Sequence, residues 1–169
     1  FTAEEIWRNM PGSRGASVLL ETWYTLPEDK TQDELTSEAY WDKVLAVREQ
    51  VAREVEKARV AGALGASLEA EVDLYVDAEQ YTLLTKLGEE LRFVLITSGA
   101  RLHDLALTPA AGVETGLKGL RVQVNPSAQA KCARCWHRRA DVGANAEHPQ
   151  LCARCVTNVA GQGETRRIA

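Results

Sequence analysis

The chain has 169 residues, 45% of them hydrophobic and 26% charged, a balance that excludes a disordered polyelectrolyte and allows one ordinary domain with a small appendage. No apolar run approaches the roughly 20 residues of a bilayer-crossing helix, and the first residues carry acid where a secretory leader carries base. The net charge of −4 conceals an asymmetry: residues 1–130 hold 13 Lys and Arg against 21 Asp and Glu, whereas residues 131–169 hold seven against three. A basic end on an acidic body suits a polyanionic partner, with a merely solvated surface as the alternative.

The chain opens without a methionine in what reads as a helix, and is expected to be a piece of a longer protein. Thr2 and Glu5 have the spacing of a capping box, Thr2 as the N-cap, for a short helix ending near Met10, before Pro11 and Gly12. Val18–Leu20 with Trp23 and Tyr24 predicts an extended, docked segment, and the polar stretch Pro27 to Ser37 reads as a linker. From Glu38 to Ala61, Trp41, Val44, Leu45, Val51, Val55 and Ala58 recur at three- and four-residue steps, which predicts one long amphipathic helix closed by Gly62.

The period then changes. Ala70, Val72, Leu74 and Val76 alternate with Glu71, Asp73 and Tyr75, the pattern of a half-buried strand. Asp77 and Gln80 suggest a second capping box, opening a helical stripe through Tyr81, Leu84, Leu87, Leu91, Val94 and Leu95; its end, apolar all round, is also compatible with a buried strand. Strands are expected at Leu102–Leu107 and Leu120–Val124, with Thr108 to Gly116 as a loop. The middle of the chain is therefore read as a small βαββ unit.

Cys132, Cys135, Cys152 and Cys155 are all the cysteines of the chain, set as two C-x₂-C knuckles 16 residues apart. A two-residue spacer lets both sulfurs of a knuckle turn to one point, and two knuckles complete the tetrahedral thiolate shell of one structural Zn²⁺, leaving no position for a reactive water. Two disulfides are disfavoured without a secretory leader. His137 and His148 lie nearby but are not needed as ligands. Trp136 is read first as a cover over the metal core, with stacking on a nucleobase as the alternative. Lys131, Arg134, Arg138, Arg139 and Arg154 cluster around the knuckles and, with Trp136 and His137, are the candidate RNA-binding residues, the guanidiniums being suited to phosphate oxygens.

The run Lys131 to His137, followed by Asp141–Gly143, Glu147, His148, Leu151–Cys155 and Asn158–Gly161, resembles the C-terminal region of bacterial isoleucyl-tRNA synthetases, which are class I aminoacyl-tRNA synthetases. The resemblance continues upstream through Leu87–Gly99, Gly65–Ala70 and Phe1–Trp7; the paired knuckles alone are shared with formamidopyrimidine-DNA glycosylases. It implies an α+β chain in three parts: 1–62, a helical segment ending an anticodon-binding bundle; 63–128, a βαββ junction domain; and 129–169, a four-cysteine zinc-ribbon-like module. It further implies an ATP-dependent, cytoplasmic ligase, expected to be a monomer, with isoleucine-specific tRNA and the rest of the synthetase as partners and no membrane. The His-x-Gly-His and Lys-Met-Ser-Lys-Ser signatures of class I chemistry are absent from this chain, so it is expected to be non-catalytic by itself and to supply tRNA contact near the anticodon. Two alternatives stand beside this reading: the zinc-ribbon tail of a DNA glycosylase-like enzyme, and a purely structural zinc staple.

Overall fold

The computed structural model describes residues 1–26 and 34–168, and the chain divides into two compact units, 1–31 and 32–169. The expected linker at 27–33 lies outside the described residues.

In the first unit, α1 spans Thr2–Asn9. Thr2 is already helical and Phe1 is the N-cap, so the expected capping box does not form. The Glu5 carboxylate it needed instead accepts from Asn9 Nδ2 (3.1 Å), while its neighbour Glu4 accepts from the Ser17 hydroxyl. The helix ends as expected, Met10 turning extended (ψ 140°) because a residue before proline is pushed out of the α region. Val18–Leu20 is a 3₁₀ turn capped by Ser17, not the extended segment expected, and no residue of 1–26 is buried; Trp23 is 97% exposed.

The second unit is built around α2 (Glu38–Val60) and a four-stranded sheet. Ser37 caps α2 by accepting from Tyr40 N–H (3.3 Å). At the other end Gly62 (φ +77°) donates to Arg59 O and Ala63 to Ala58 O, both at 3.0 Å, a Schellman closure that needs the left-handed residue glycine supplies. The buried stripe is Tyr40, Val44, Val47, Val51 and Val55. It is rotated from the expected face: Leu45 is exposed, and Tyr40, whose hydroxyl donates to Leu83 O, takes the inner position.

The sheet order is β2-β1-β4-β3, with β1 (Ala70–Val76) parallel to β2 (Gly99–Asp104) and antiparallel to β4 (Leu120–Pro126); the two-residue β3 (Val113–Glu114) edges β4. The predicted loop at Thr108–Gly116 thus contains a short strand. The strand expected at Leu102–Leu107 starts earlier and ends at Asp104, whose carboxylate accepts from Ala106 N–H and turns Leu105–Leu107 into a 3₁₀ segment. Ala70, Val72, Leu74 and Val76 face inward as read, and with α2, Leu84, Leu91 and Leu95 form one buried cluster, but Asp73 and Tyr75 are buried too, so β1 is covered on both faces and not half-buried as expected. The long helix before residue 62 and the sheet after it therefore share a core. Each fully buried Leu or Val there contributes roughly 1.5–3 kcal/mol of burial.

The parallel β1–β2 pair requires a crossover, which is α3 (Ala78–Thr85), a 3₁₀ turn at Gly88–Glu90 and α4 (Leu91–Leu95). The expected continuous stripe is broken because Gly88 adopts φ +51°. Asp77 caps α3 through Gln80 N–H, but Gln80 Nε2 donates to Lys118 O instead of closing a box. The apolar end of the stripe is helix, and it stops at Ile96 in the left-handed region (φ 56°), held by Thr97 N–H on Arg92 O (2.9 Å). A β-branched residue there is strained by about 1–3 kcal/mol. That turn delivers Phe93 and Ser98 to the cysteine module.

Candidate metal centre

The first knuckle is a tight reversal. Cys132 N–H donates to His137 O and Trp136 N–H to Cys132 O, both at 2.9 Å, while Lys131 and Arg138 form a β-bridge. To close it, Trp136 adopts φ +65°, a position where glycine is the unstrained choice. The second knuckle opens a helix: Cys152 is the N-cap of α5 (Ala153–Ala160) and Cys155 lies in its first turn. Ala133 N–H on Gln150 O (3.0 Å) and Cys152 N–H on Cys132 Sγ (3.4 Å) stitch the knuckles together.

The four Sγ atoms lie within 4.8 Å of one another, and three of the cysteines are buried. Cys135 and Cys152 sulfurs are 3.7 Å apart. A disulfide needs about 2.05 Å, whereas a tetrahedron of Zn–S bonds near 2.3 Å has edges of about 3.8 Å. The cysteines are free thiols, and the donor set fits zinc. Their electrostatics agree. Burial pushes Cys132 up, but backbone N–H groups of Cys135, Cys152 and Arg134 outweigh it and bring that thiol to about 6. Burial, then the neighbouring sulfurs, pushes Cys152 up to about 12 and raises Cys135. Four converging sulfurs resist ionising together; a divalent cation removes that conflict. The positive end of α5 and the Arg134 guanidinium, 3.6 Å from Cys155 Sγ, favour the thiolates further.

Neither histidine joins the cluster. His137 is buried, its Nδ1 3.3 Å from Cys135 O, and its pKa is lowered by burial and by Arg92, which keeps it neutral. Trp136 does not cover the core: it is 61% exposed, with the Lys131 ammonium 5.3 Å from its ring centre.

The basic residues separate into two groups. Lys131, Arg134 and Trp136 are exposed on the knuckle. Arg138 and Arg154 turn toward the rest of the second unit: Arg138 Nη2 pairs with Glu69 (2.8 Å) and its N–H donates to Ser98 Oγ (2.7 Å), and Arg154 Nε pairs with Glu164 (2.6 Å). Arg139 is half-buried, with Asp141 at 4.0 Å. The residues missed in the sequence are those that receive the module. Phe93 carries the Arg92, Arg154 and Arg166 guanidiniums at 4.1, 4.8 and 4.8 Å from its centre and His137 on edge, and the Glu90 carboxylate accepts from Arg167 and Ile168 N–H. Nothing local marked Phe93; its apolar surroundings read as core.

Residues 130–158 match the zinc finger found in FPG and IleRS. Over all 169 residues the chain is 52% identical to an isoleucine–tRNA ligase of Ectopseudomonas mendocina, and 50% identical to those of Nitrosococcus oceani and Shewanella pealeana. It spans 18% of the length of each of these relatives.

Proposed function

The chain belongs to the isoleucine–tRNA ligase family, and from that premise we propose that it is the zinc-bearing, tRNA-contacting C-terminal part of an ATP-dependent enzyme that joins isoleucine to its tRNA. The observation that carries the reading is identity near one half along the whole chain, zinc module included. That same breadth disfavours a glycosylase tail, which would share the knuckles and not the α/β body. In this reading residues 1–62 descend from the anticodon-binding helical part, 63–128 form the junction and 129–169 the zinc module. The ligase acts as a cytoplasmic monomer, where reducing conditions keep the thiols available.

One zinc held by Cys132, Cys135, Cys152 and Cys155 is structural here. With four thiolates bound, its chemistry is to fix the two knuckles, and activation and transfer of isoleucine belong to the remainder of the enzyme. Of the seven candidate RNA contacts, the exposed Lys131, Arg134 and Trp136, with Arg139, are the set available to tRNA. Arg138, Arg154 and His137 serve the joint between module and body, which is the staple role. Both roles coexist because they use different side chains.

The test is Lys131→Gln with Arg134→Gln in the full-length ligase. The KM for tRNA should rise several-fold while isoleucine-dependent pyrophosphate exchange, which needs no tRNA, stays unchanged. An unaltered KM across salt concentrations leaves only the staple.

A further inference from the structure

Between the start of β2, α4 and the zinc module lies a cleft of about 340 Å³, lined in part by Arg92, Ser98, Arg101, Arg138 and Arg139. Four guanidiniums on one small concavity need compensation, and the carboxylates facing it supply it unevenly. Glu71 and Asp73 hold Arg101 at 2.8 and 2.7 Å, and Glu69 holds Arg138. Arg92 has no such partner. It is only 9% exposed, yet among the described residues its guanidinium makes no hydrogen bond, and its one carboxylate neighbour, Glu89, is 3.8 Å away and 85% exposed. Arg139, half-buried on the rim, has its nearest carboxylate at 4.0 Å in Asp141, an oxygen of which is itself buried and unpaired among the described residues. A buried cation without hydrogen bonds is expensive, and Phe93 beneath Arg92 offsets only part of that cost. Burial and the neighbouring Arg139 and Arg154 charges push the Arg92 pKa down, as expected for positive charge awaiting a counter-ion.

We propose that this cleft is an oxyanion site that takes a phosphate group between Arg92 and Arg139. Guanidinium forks match the paired oxygens of a phosphate, and two of them approach a tetrahedral anion from different sides. The group has two sources with the same chemistry, a phosphodiester of bound RNA or free inorganic phosphate. The RNA source rests on the tRNA reading above; the oxyanion site does not. Arg92 and Arg101 lie outside the cysteine module, so the site extends the candidate RNA-binding set, which the sequence places within residues 131–154, into the body of the second unit.

The experiment uses the full-length, zinc-loaded ligase with Arg139→Gln, Arg139→Lys and Arg92→Gln. Arg92→Gln risks unfolding the turn at Ile96, so Arg139→Gln, on the half-exposed rim, carries the decision; zinc content and unfolding temperature confirm that it is folded. For an RNA phosphate, Arg139→Gln weakens tRNA binding roughly fivefold and flattens the plot of log affinity against log salt by about 0.7–0.9, while Arg139→Lys restores the slope. For free phosphate, inorganic phosphate raises the unfolding temperature above matched chloride, and Arg139→Gln shrinks that rise. Loss of the phosphate effect with an unchanged tRNA slope keeps the oxyanion site and removes its RNA source. If Arg139→Gln alters neither, the proposal is overturned; the tRNA reading still stands if Lys131→Gln with Arg134→Gln raises the KM.

Discussion

His137 meets Phe93 edge to face, with ring centres 5.6 Å apart and planes at 84°, and this contact joins the first cysteine knuckle to α4. The ring of Phe93 also lies under Arg154, so one residue of the body holds both knuckles. Phe93→Ala removes the edge contact and the cation–π contacts, each worth about 0.5–1.5 kcal/mol. Zinc should still bind, because no ligand is touched. Amide hydrogen exchange across residues 131–160 should quicken while α2 keeps its protection, because its core is separate from the cysteine cluster. Unchanged exchange in the module would show that the ring is not the joint.

Metal removal should act on the same part of the molecule. Among the described residues the cysteine cluster has only Val142 and Leu151 packed against it besides its own cysteines, too little apolar surface to order residues 131–160 without a cation. Elemental analysis should give one zinc per chain, and X-ray absorption four sulfurs near 2.3 Å. Cys135→Ser, or a strong chelator, should expose the remaining thiols to a thiol reagent and leave the helical signal of α2 intact. A fitted zinc–nitrogen shell would falsify the four-cysteine assignment.

Asp73 tests the sheet. The residue is 8% exposed, and its carboxylate accepts from Arg101 Nε (2.7 Å) and Nη2 (3.0 Å) and from Asn125 Nδ2 (2.9 Å), with His103 Nε2 at 2.8 Å. Hydrogen bonds from Arg101 lower its pKa below 3.8, and burial opposes this without reversing it. A depressed carboxylate stabilises the fold above its ordinary value and loses that contribution as pH falls from 3.8 through the lower folded-state value. Asp73→Asn should therefore cost about 1–3 kcal/mol at pH 7. The gap from wild type in denaturant midpoint should close below pH 3.8. A gap independent of pH would assign the loss to packing.

What the sequence displayed was local. The Cys132–Cys135 and Cys152–Cys155 spacings, the period of α2 and the alternation from Ala70 to Val76 each depend on residues a few positions apart. What it hid was set at a distance or by backbone strain. Arg138 pairs with Glu69 across 69 positions, so a guanidinium that looks free beside its knuckle is spent on the body. Thr2 and Glu5 have the right spacing for a capping box, but Asn9 and Ser17 claim the acids of that turn. Leu45 fits the helical stripe by period, yet the buried line of α2 runs through Tyr40, Val44 and Val47.

Trp136 separates the two uses of the zinc module. Its left-handed backbone (φ +65°) is imposed by the reversal that brings Cys135 and Cys132 together, as Ile96 is by the end of α4. The Trp136 ring projects into solvent and gives the knuckle little packing in return for the strain. Trp136→Gly should relieve that strain and stabilise the zinc-bound module by a few tenths to about 1 kcal/mol, seen as slower zinc loss to a chelator. If the ring is retained for stacking on an unpaired base, the same substitution should weaken tRNA binding by the full-length ligase by about 1–3 kcal/mol, or roughly 5- to 150-fold. Its salt dependence should not change, because stacking releases no counterion. Tighter zinc with weaker tRNA binding assigns the ring to RNA. Weaker zinc binding, with tRNA affinity intact, would return it to the metal core where the sequence first placed it.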